Sequence, residues 1–399
     1  MSGGGLHTSA VVLAGPFATR VLGDMGADVV KINSTERAVG ANTPLHPYYI
    51  MWNRNKRALA LDMSRDDGRE VGRALCEQAD VVIDNFSVGV LDRWGLGFDA
   101  VSEKHPGVIY VQMSGMGEGG PWSRFVTYAP TIHALSGLTH LTGVPGRQDI
   151  GIGYSYNDHQ AGLHGTVAIL AALEARSRTG KGQRVDLSQF EVGVNFLGPA
   201  LLDNRATGRA AQPVGNHLPW DLAAPHGVYP CTPKGEGLTG ERWVAIACMT
   251  DAQWQALAGV MGNPSWSADE RFATAAGRVA SVDALDELVG VWTRDQDAAA
   301  IAQRCQSAGV PAGLVQDGMD LGTSDPQLAG ANFLHAIDDP HPEIGPVYAD
   351  RLPLHFEKTP CDEYQRPRTL GEDNASVLED WLGMSAAEVA AGEASGMLT

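Results

Sequence analysis

One stretch of the sequence combines residue types that could do covalent chemistry at the start of a helix. Residues 154–162 read Tyr-Ser-Tyr-Asn-Asp-His-Gln-Ala-Gly, and the residues that follow, Leu163 to Ala175, are apolar, rich in Ala and free of Pro. This pattern predicts a helix with Asp158 at or just before its first turn. Orphan backbone N–H groups and the helix dipole favour a negative charge at that place.

Asp158 supports two interpretations. In the first, Asp158 or Asn157 simply caps the helix, since both residue types are preferred at the N-cap. In the second, the Asp158 carboxylate is a nucleophile that attacks an activated acyl group and carries it as a mixed anhydride. The pattern alone leaves both open, so the surrounding residues must decide between them.

Composition limits the classes of function. Of the 399 residues, 44% are hydrophobic and 19% are charged, as in ordinary soluble globular proteins. A net charge of −18 disfavours nucleic acid or an anionic membrane as the main partner. The five cysteines are scattered without CxxC spacing, which argues against a disulfide framework and a structural metal site. With no secretory signal pattern and no membrane-length apolar run, we expect a cytoplasmic protein.

Short apolar runs alternate with helical patterns in the first half of the chain, which predicts an α/β fold with a parallel sheet. Strands are expected at 9–13, 27–32, 58–62, 79–84, 108–113 and 184–188, and helices at 17–25, 68–78 and 189–202. Further on we expect strands at 226–230, 243–248 and 312–315 and near Val347 and Leu354, with helices at 251–261, 282–293, 297–308 and 375–393.

The composition becomes polar and rich in Gly and Pro over residues 204–219, which predicts a domain boundary there. We therefore expect a large domain over 1–203, a small α/β domain over 204–324, and a C-terminal segment over 325–399.

Three segments could bind a ligand. Residues 85–89 follow a predicted strand, and the carboxyl ends of parallel strands are where ligands bind. Residues 53–57 hold three cations in five residues, which fits either a solvated strand entry or a phosphate contact. Residues 115–120 match GxGxxG, but Pro121 follows at once, so a flexible substrate-facing loop is favoured over a pyrophosphate cradle.

An ordered set of short signatures spans most of the chain. It comprises Leu13-Ala14-Gly15-Pro16, residues 26–32, Asn55-Lys56-Arg57, Leu61-Asp62, Asp84-Asn85-Phe86, Gly89, Leu91-Asp92-Arg93, Gly95, residues 171–176, residues 179–183 and residues 224–229. With these signatures the chain resembles the family III CoA-transferases, or CaiB/BaiF family. That group includes formyl-CoA:oxalate, carnitine and benzylsuccinate CoA-transferases and α-methylacyl-CoA racemases.

The resemblance implies a fold and an activity. The expected fold is a Rossmann-like large domain with a parallel sheet, a small α/β domain, and a C-terminal segment that returns to the large domain. The expected assembly is an interlocked homodimer, or a heteromer with a paralogous subunit. The expected activity is transfer of coenzyme A from an acyl-CoA to a free carboxylic acid, with Asp158 as the catalytic nucleophile and with no metal.

The resemblance also assigns binding residues, which are Ala14, Asn85, Phe86, Ser87, Arg93 and Tyr128 for CoA, and Leu61, Asp62, Met63 and Ser64 for its nucleotide end. Two basic residues that are common in the family are replaced here by Ser34 and Val126. Arg124 is a candidate to stand in for one of them.

Three functions compete at this stage. The favoured one is CoA transfer, with succinyl-CoA as donor and an aryl- or alkyl-substituted dicarboxylic acid as acceptor, because aromatic residues near Asp158 suggest a roomy site. The multi-glycine loop of the oxalate enzymes has no counterpart here. The second is α-methylacyl-CoA racemization, which needs a second base; Tyr128 stands at that position, with His133 nearby. The third is a non-catalytic CoA-binding subunit of a heteromer, which the presence of Asp158 disfavours.

Overall fold

The structure, a computed structural model, describes residues 5–8, 14–220, 222–235 and 240–399. The chain divides into two units. The first comprises Met1–Thr139, Gly151–Leu201 and Gln327–Thr399, and the second comprises His140–Ile150 and Leu202–Pro326. The boundaries expected near residues 203 and 324 stay a prediction about domains.

Strands and helices alternate through the first half of the described chain. In order, the elements are β1 (Gly5–Thr8), α1 (Ala14–Asp24), β2 (Asp28–Asn33), α2 (Pro47–Trp52), β3 (Arg57–Ala60), α3 (Asp66–Gln78), β4 (Val81–Asp84), α4 (Val90–Arg93), α5 (Phe98–Lys104), β5 (Ile109–Gln112), α6 (Ala129–Leu135), α7 (Leu138–Leu141), α8 (Tyr156–Thr179), β6 (Gln183–Asp186), α9 (Gln189–Phe196) and α10 (Gly198–Thr207).

The second half continues with shorter elements. They are β7 (His226–Cys231), β8 (Arg242–Ala247), α11 (Asp251–Val260), α12 (Ala275–Ala280), α13 (Val282–Thr293), α14 (Ala298–Ser307), β9 (Ala312–Leu314), α15 (Gly318–Thr323), α16 (Pro326–Gly330), β10 (Leu334–Ala336), β11 (Tyr348–Asp350), α17 (Asn374–Leu382) and α18 (Ala386–Ser395).

The first unit is organised by a six-stranded parallel sheet in the order β3-β2-β1-β4-β5-β6. This is the Rossmann-type strand order, in which the chain changes direction between β1 and β4 and ligands bind at the carboxyl ends near that point. The α/β fold with a parallel sheet that the sequence predicts is therefore confirmed. It brings the loop after β4, residues 85–89, to the expected binding edge.

Strands β2, β4 and β5 contribute apolar residues to both faces of the parallel sheet, as strands covered on two sides require. Val29, Val81 and Ile109 belong to a core that includes residues of α1 and α8. The neighbouring residues Val30 and Val82 belong to the opposite core, which includes residues of α3, α5, α17 and α18. The C-terminal segment joins this second core through backbone contacts as well, since the Asp62 N–H donates to Met397 O at 2.9 Å.

The second unit has its own antiparallel sheet in the order β7-β8-β9. Residues of these strands pack with α11, α13 and α14 around Trp254 and Phe272, both fully buried. β7, β8 and β9 lie where the sequence predicts strands, at 226–230, 243–248 and 312–315.

Several predicted elements differ from the structure. The single helix expected over 189–202 is wrong. Helix α9 ends at Phe196 with Leu197 as its C-cap, and Gly198-Pro199 begins a new helix, where Pro199 has no N–H to continue the ladder. The single C-terminal helix is wrong for a similar reason, since Gly383 adopts a left-handed conformation that ends α17. No strand occurs near Leu354 in the described part of the chain, and the strand predicted at Ser9–Leu13 lies outside the described residues.

Candidate active site

Asp158 lies in the first turn of α8, at its third residue. The N-cap position is occupied by Ser155, whose side chain makes no capping hydrogen bond. The interpretation of Asp158 or Asn157 as the N-cap is therefore wrong, and the helix start leaves the Asp158 carboxylate available for another role. Packing fixes this turn closely, because an added Cβ on Gly162, one turn further along, would lie 3.0 Å from Ala14 O.

Burial controls the electrostatics of Asp158. The residue is 7% exposed, and its Oδ2 atom is buried without a hydrogen-bond partner among the described residues. Burial raises the pKa of Asp158 to about 6, and a hydrogen bond from its own backbone N–H opposes this shift. The group is therefore mostly ionised at neutral pH, yet it lacks the partners that normally stabilise a buried carboxylate.

Asp158 contributes to the lining of a cavity of about 350 Å³ in the first unit. Its lining residues come from the loop after β4, the start of the loop after β5, the segment before and within α6, and the starts of α8 and α9: Asn85, Phe86, Ser87, Val88, Ser114, Gly115, Ser123, Phe125, Val126, Thr127, Tyr128, Ala129, Pro130, Ile132, Ser155, Asp158 and Gln189. The structure thus brings Asp158 together with four of the CoA-contacting candidates, which are Asn85, Phe86, Ser87 and Tyr128.

The other candidates lie outside this lining. Ala14 is fully buried at the start of α1, against α8. Leu61, Asp62, Met63 and Ser64 follow β3, where the side chains of Leu61 and Met63 are part of the hydrophobic core. Arg93 ends α4, and Arg124 lies between two lining residues; both side chains are exposed.

A buried acid supports the loop after β4. Asp84 Oδ1 accepts the Phe86 N–H at 3.0 Å, which fixes the backbone of a residue that lines the cavity. Burial raises the pKa of Asp84 to about 7, and Glu118 and Asp92 add repulsion that Arg184 and the Phe86 N–H partly offset.

A glycine is required where the loop after β5 meets the segment before α6. A Cβ at Gly115 would overlap the Thr127 side chain, so only glycine permits this close approach. Gly115, the first residue of this Gly-rich loop, lines the cavity, and the described residues 116–128 contain no helix.

Sequence analysis missed a cation near the loop after β4. The Arg37 guanidinium lies over the rings of Phe86 and Trp94, 5.2 and 4.8 Å from their centroids. No carboxylate within the described residues forms an ion pair with it. The resemblance places a common basic residue of the family at position 34, where this chain has Ser34. Ser34 is buried and the chain turns after β2, so that the side chain three residues later reaches Phe86.

The predicted phosphate contact at residues 53–57 is not supported, because its cations are already bound within the protein. Arg54, 2% exposed, donates to Asp24 and to Asp350 at 2.6–3.0 Å, and Arg20 also pairs with Asp350. These four residues form what we call the Arg54 cluster. Lys56 Nζ donates to Pro16 O, Trp52 O and Asn53 Oδ1, and Arg57 pairs with Asp28 and Asp380.

The surroundings of the two candidate bases for racemization, His133 and Tyr128, do not suit them to that role. The buried His133 accepts the Asn157 N–H at its Nε2 atom, at 3.2 Å, so its lone pair holds the start of α8. Burial also lowers the pKa of His133. Tyr128 is 67% exposed at the cavity wall. Neither residue is prepared to take a proton from a substrate carbon beside Asp158.

Two buried polar residues beside Asp158 were also missed. Ser114 and Gln189 line the cavity, and Ser114 Oγ and Gln189 Oε1 are buried without a partner in the described structure. Together with Asp158 they form what we call the cavity floor. The signal that could have identified them is their position at the carboxyl edge of the parallel sheet. Ser114 follows β5, and Gln189 begins α9 shortly after β6.

Two further observations concern metal binding and membrane insertion. Within the described residues, no group of three or more His, Cys, Asp or Glu side chains is arranged to hold a metal ion. Likewise, none of the described helices is long and apolar enough to span a membrane.

Comparison with known proteins gives consistent matches across the chain. A model of CoA-transferase family III matches residues 6–374. The chain is 29% identical to succinyl-CoA–D-citramalate CoA-transferase of Chloroflexus aurantiacus, over 95% of this chain and 93% of that protein. It is 30% identical to the alpha subunit of succinyl-CoA–L-malate CoA-transferase of the same organism, over 94% and 87%. It is also 30% identical to succinate–glutarate CoA-transferase of Agrobacterium fabrum, over 93% of each.

A solved structure agrees with these matches. The crystal structure of a CAIB/BAIF family protein from Brucella suis matches with a TM-score of 0.82 and 31% identity, covering 95% of this chain and 98% of that one. The resemblance inferred from the signatures and the fold class are both confirmed.

Proposed function

Because the chain belongs to CoA-transferase family III and is a CoA-transferase, we propose that it moves CoA from succinyl-CoA to a small dicarboxylic acid through covalent intermediates on Asp158. The observation that carries this proposal is the buried Asp158 carboxylate in the lining of the cavity, whose Oδ2 atom has no partner among the described residues. The donor and the class of acceptor come from the names of the relatives, which act on citramalate, malate and glutarate. An aliphatic acceptor is thereby favoured over an aryl-bearing one.

The proposed reaction has four displacements. The Asp158 carboxylate attacks the succinyl thioester carbon and expels CoA thiolate, which leaves an aspartyl–succinyl anhydride. The thiolate attacks the aspartyl carbonyl, releases succinate and forms an aspartyl-CoA thioester. The acceptor carboxylate attacks this thioester, giving a second anhydride and free thiolate. The thiolate then attacks the acceptor carbonyl, which forms the new acyl-CoA and restores the Asp158 carboxylate.

Each displacement places negative charge on a carbonyl oxygen, and backbone donors would stabilise it. At the start of α8, the Tyr156 N–H already donates to Tyr154 O and the Asn157 N–H to His133 Nε2. The Gly115 N–H, in the Gly-rich loop of the cavity lining, is therefore our candidate oxyanion donor. One such donor typically contributes about 3–4 kcal/mol to transition-state stabilisation.

CoA would lie along the exposed side of the cavity. Asn85, Phe86, Ser87 and Tyr128 line that side and would contact the pantetheine arm. Arg93, Arg124 and Arg37 are accessible cations near the same segments and would meet phosphate groups, which the overall charge of −18 makes valuable. Ala14 and residues 61–64 stay candidates for the remaining contacts.

The complete enzyme would contain a second chain. Leu163, Val167 and Leu170 are exposed and share one face of α8, which is the type of surface that a partner covers. In addition, no Lys, Arg or His of the described residues lines the cavity, so the cation for the second carboxylate of a dicarboxylic acid would come from elsewhere. We propose an interlocked homodimer or a pairing with a paralogous subunit, in the cytoplasm, where the five unpaired cysteines would stay reduced.

The test is detection of the covalent intermediate. Incubation with succinyl-CoA alone should give a protein species heavier by CoA less water, and peptide mapping should locate it on Asp158. Asp158→Asn provides the matched control and should give no adduct. Addition of an acceptor acid should discharge the adduct and produce a new acyl-CoA. An adduct on another residue, or turnover without any adduct in the wild type and in Asp158→Asn alike, would contradict the proposal.

A further inference from the structure

The cavity floor contains two hydrogen-bonding atoms that the described structure leaves unsatisfied. Ser114 and Gln189 are each 6% exposed, and Ser114 Oγ and Gln189 Oε1 are buried without a partner. Buried polar groups are nearly always hydrogen-bonded in folded proteins, because an unmade bond is costly. Two such atoms in the lining of one cavity therefore indicate a ligand group that completes them.

Contacts hold both residues in place beside the nucleophile. The Gln189 backbone N–H donates to Ser114 O at 3.2 Å, and Gln189 Nε2 donates to Met113 O at 3.1 Å. Asn157, the neighbour of Asp158, donates from Nδ2 to Gln189 O at 3.3 Å. The bond to Met113 fixes the orientation of the amide, so that Oε1 is the atom left for a ligand.

The chemistry of the two atoms selects the ligand group. Gln189 Oε1 can only accept a hydrogen bond, whereas the Ser114 hydroxyl can donate one. A hydroxyl group accepts from Ser114 and donates to Gln189 at once. A carboxylate would pair with Ser114 but face the Gln189 acceptor, and a methylene group would leave both atoms unsatisfied.

The cavity also indicates which part of the substrate reaches the floor. The reacting carbonyl carbon must touch Asp158, and CoA is too large to enter a cavity of about 350 Å³ completely. Phe125, Val126 and Tyr128 are exposed, so the pantetheine arm leaves on their side. The acyl group, on the other side of the thioester, is then the part that meets Ser114 and Gln189.

We propose that Ser114 and Gln189 are specificity-determining residues that bind a hydroxyl group on the acid. The acceptor is thus a hydroxy acid. This inference rests on the proposed CoA transfer through Asp158 and names the substrate class of that site.

The test compares two acceptors that differ only in the hydroxyl group. CoA transfer from succinyl-CoA to 2-hydroxyglutarate, as each enantiomer, and to glutarate is measured for the wild type, Ser114→Ala and Gln189→Leu. The wild type should favour one hydroxy acid in kcat/KM. Each variant should lower that preference, measured as the ratio of kcat/KM for the hydroxy acid to kcat/KM for glutarate, about tenfold or more. Ser114→Thr, which keeps a hydroxyl, should retain more of the preference than Ser114→Ala.

Because selectivity is a ratio, a variant that is merely less stable lowers both rates and leaves the ratio unchanged. If the wild type transfers CoA to glutarate and prefers neither hydroxy acid, the proposed role of Ser114 and Gln189 is overturned, whereas the proposed CoA transfer stands. An equal loss for both acids, with a raised KM for succinyl-CoA, would overturn it too and assign the pair to a pantetheine amide. A wild type that transfers CoA to no acid at all would overturn the proposed function as well.

Discussion

The cavity floor and the Arg54 cluster are two buried polar regions of the same unit, and they satisfy their polar groups in opposite ways. In the Arg54 cluster, the carboxylates of Asp24 and Asp350 meet guanidinium groups at 2.6–3.0 Å. In the cavity floor, Asp158, Ser114 and Gln189 each keep a buried oxygen without a partner. Charge that is paired inside the protein supports the fold, whereas polar atoms left unpaired beside a cavity are free to bind and react.

The comparison predicts first that loss of Asp158 removes activity without loss of the fold. Asp158→Ala should lower CoA-transferase turnover by a factor on the order of 10³ or more, because no other carboxylate among the described residues lines the cavity to form the anhydride. Thermal unfolding measured alongside should show a melting temperature no lower than that of the wild type. Residual turnover above a few per cent in protein free of wild-type contamination would remove Asp158 from the role of nucleophile.

The second prediction concerns the Arg54 cluster. Arg54→Ala should lower the free energy of unfolding by about 3–5 kcal/mol, because Asp24 would remain buried without its main cation. Arg57→Ala is the matched control: its ion pairs with Asp28 and Asp380 are more exposed, so we expect a loss of about 1 kcal/mol or less. Denaturant unfolding measures both. Equal losses for the two variants would contradict the distinction that burial makes between them.

The two regions also mark the limits of prediction from sequence. Apolar runs identify β2, β4 and β5 because a covered parallel strand must be hydrophobic, and the change from Gly-rich to Ala-rich sequence identifies the start of α8 near Asp158. The role of Arg54 could not be predicted, because its partner Asp350 lies 296 positions away. Arg54 and Arg93 look alike as sequence, and only tertiary packing decides which cation is buried in an ion pair and which stays accessible.

Ser114 and Gln189 were missed for a related reason. Neither residue type is distinctive, and their importance comes from unmade hydrogen bonds, which exist only once the chain is folded. Helix ends such as Leu197 and Gly383 were missed although Gly and Pro residues marked them, because apolar periodicity continues across both breaks.

A third prediction uses pH to measure the free-energy cost of burying the charged Asp158 carboxylate. Its pKa is raised by burial to about 6, above the ordinary value of 3.8, so the folded state binds the proton more tightly than the unfolded state. Stability should therefore fall as pH rises from about 4 to above 6, and the loss should be complete above pH 6. Asp158→Asn has no carboxyl group to ionise at this position. At pH 8 it should therefore be more stable than the wild type by on the order of 2–3 kcal/mol. The difference should vanish below pH 4; a difference that does not depend on pH would contradict the assignment.

The smallest predicted effect tests whether Arg37, an accessible cation, binds a CoA phosphate. The cations of the Arg54 cluster cannot do so because they are already paired. Arg37 lies over Phe86 and Trp94 and forms no ion pair with a carboxylate of the described chain, so its charge is available to a CoA phosphate. Arg37→Ala should raise the Kd for CoA about tenfold, as loss of one charge-assisted hydrogen bond would. It should leave the Kd for pantetheine, which carries no phosphate, unchanged.

Arg178→Ala, which removes an exposed cation at the far end of α8, should change neither value. Salt should weaken CoA binding to the wild type more than to Arg37→Ala, because only the wild type keeps that phosphate contact. An equal loss for CoA and pantetheine would instead mean that Arg37 acts by packing against Phe86.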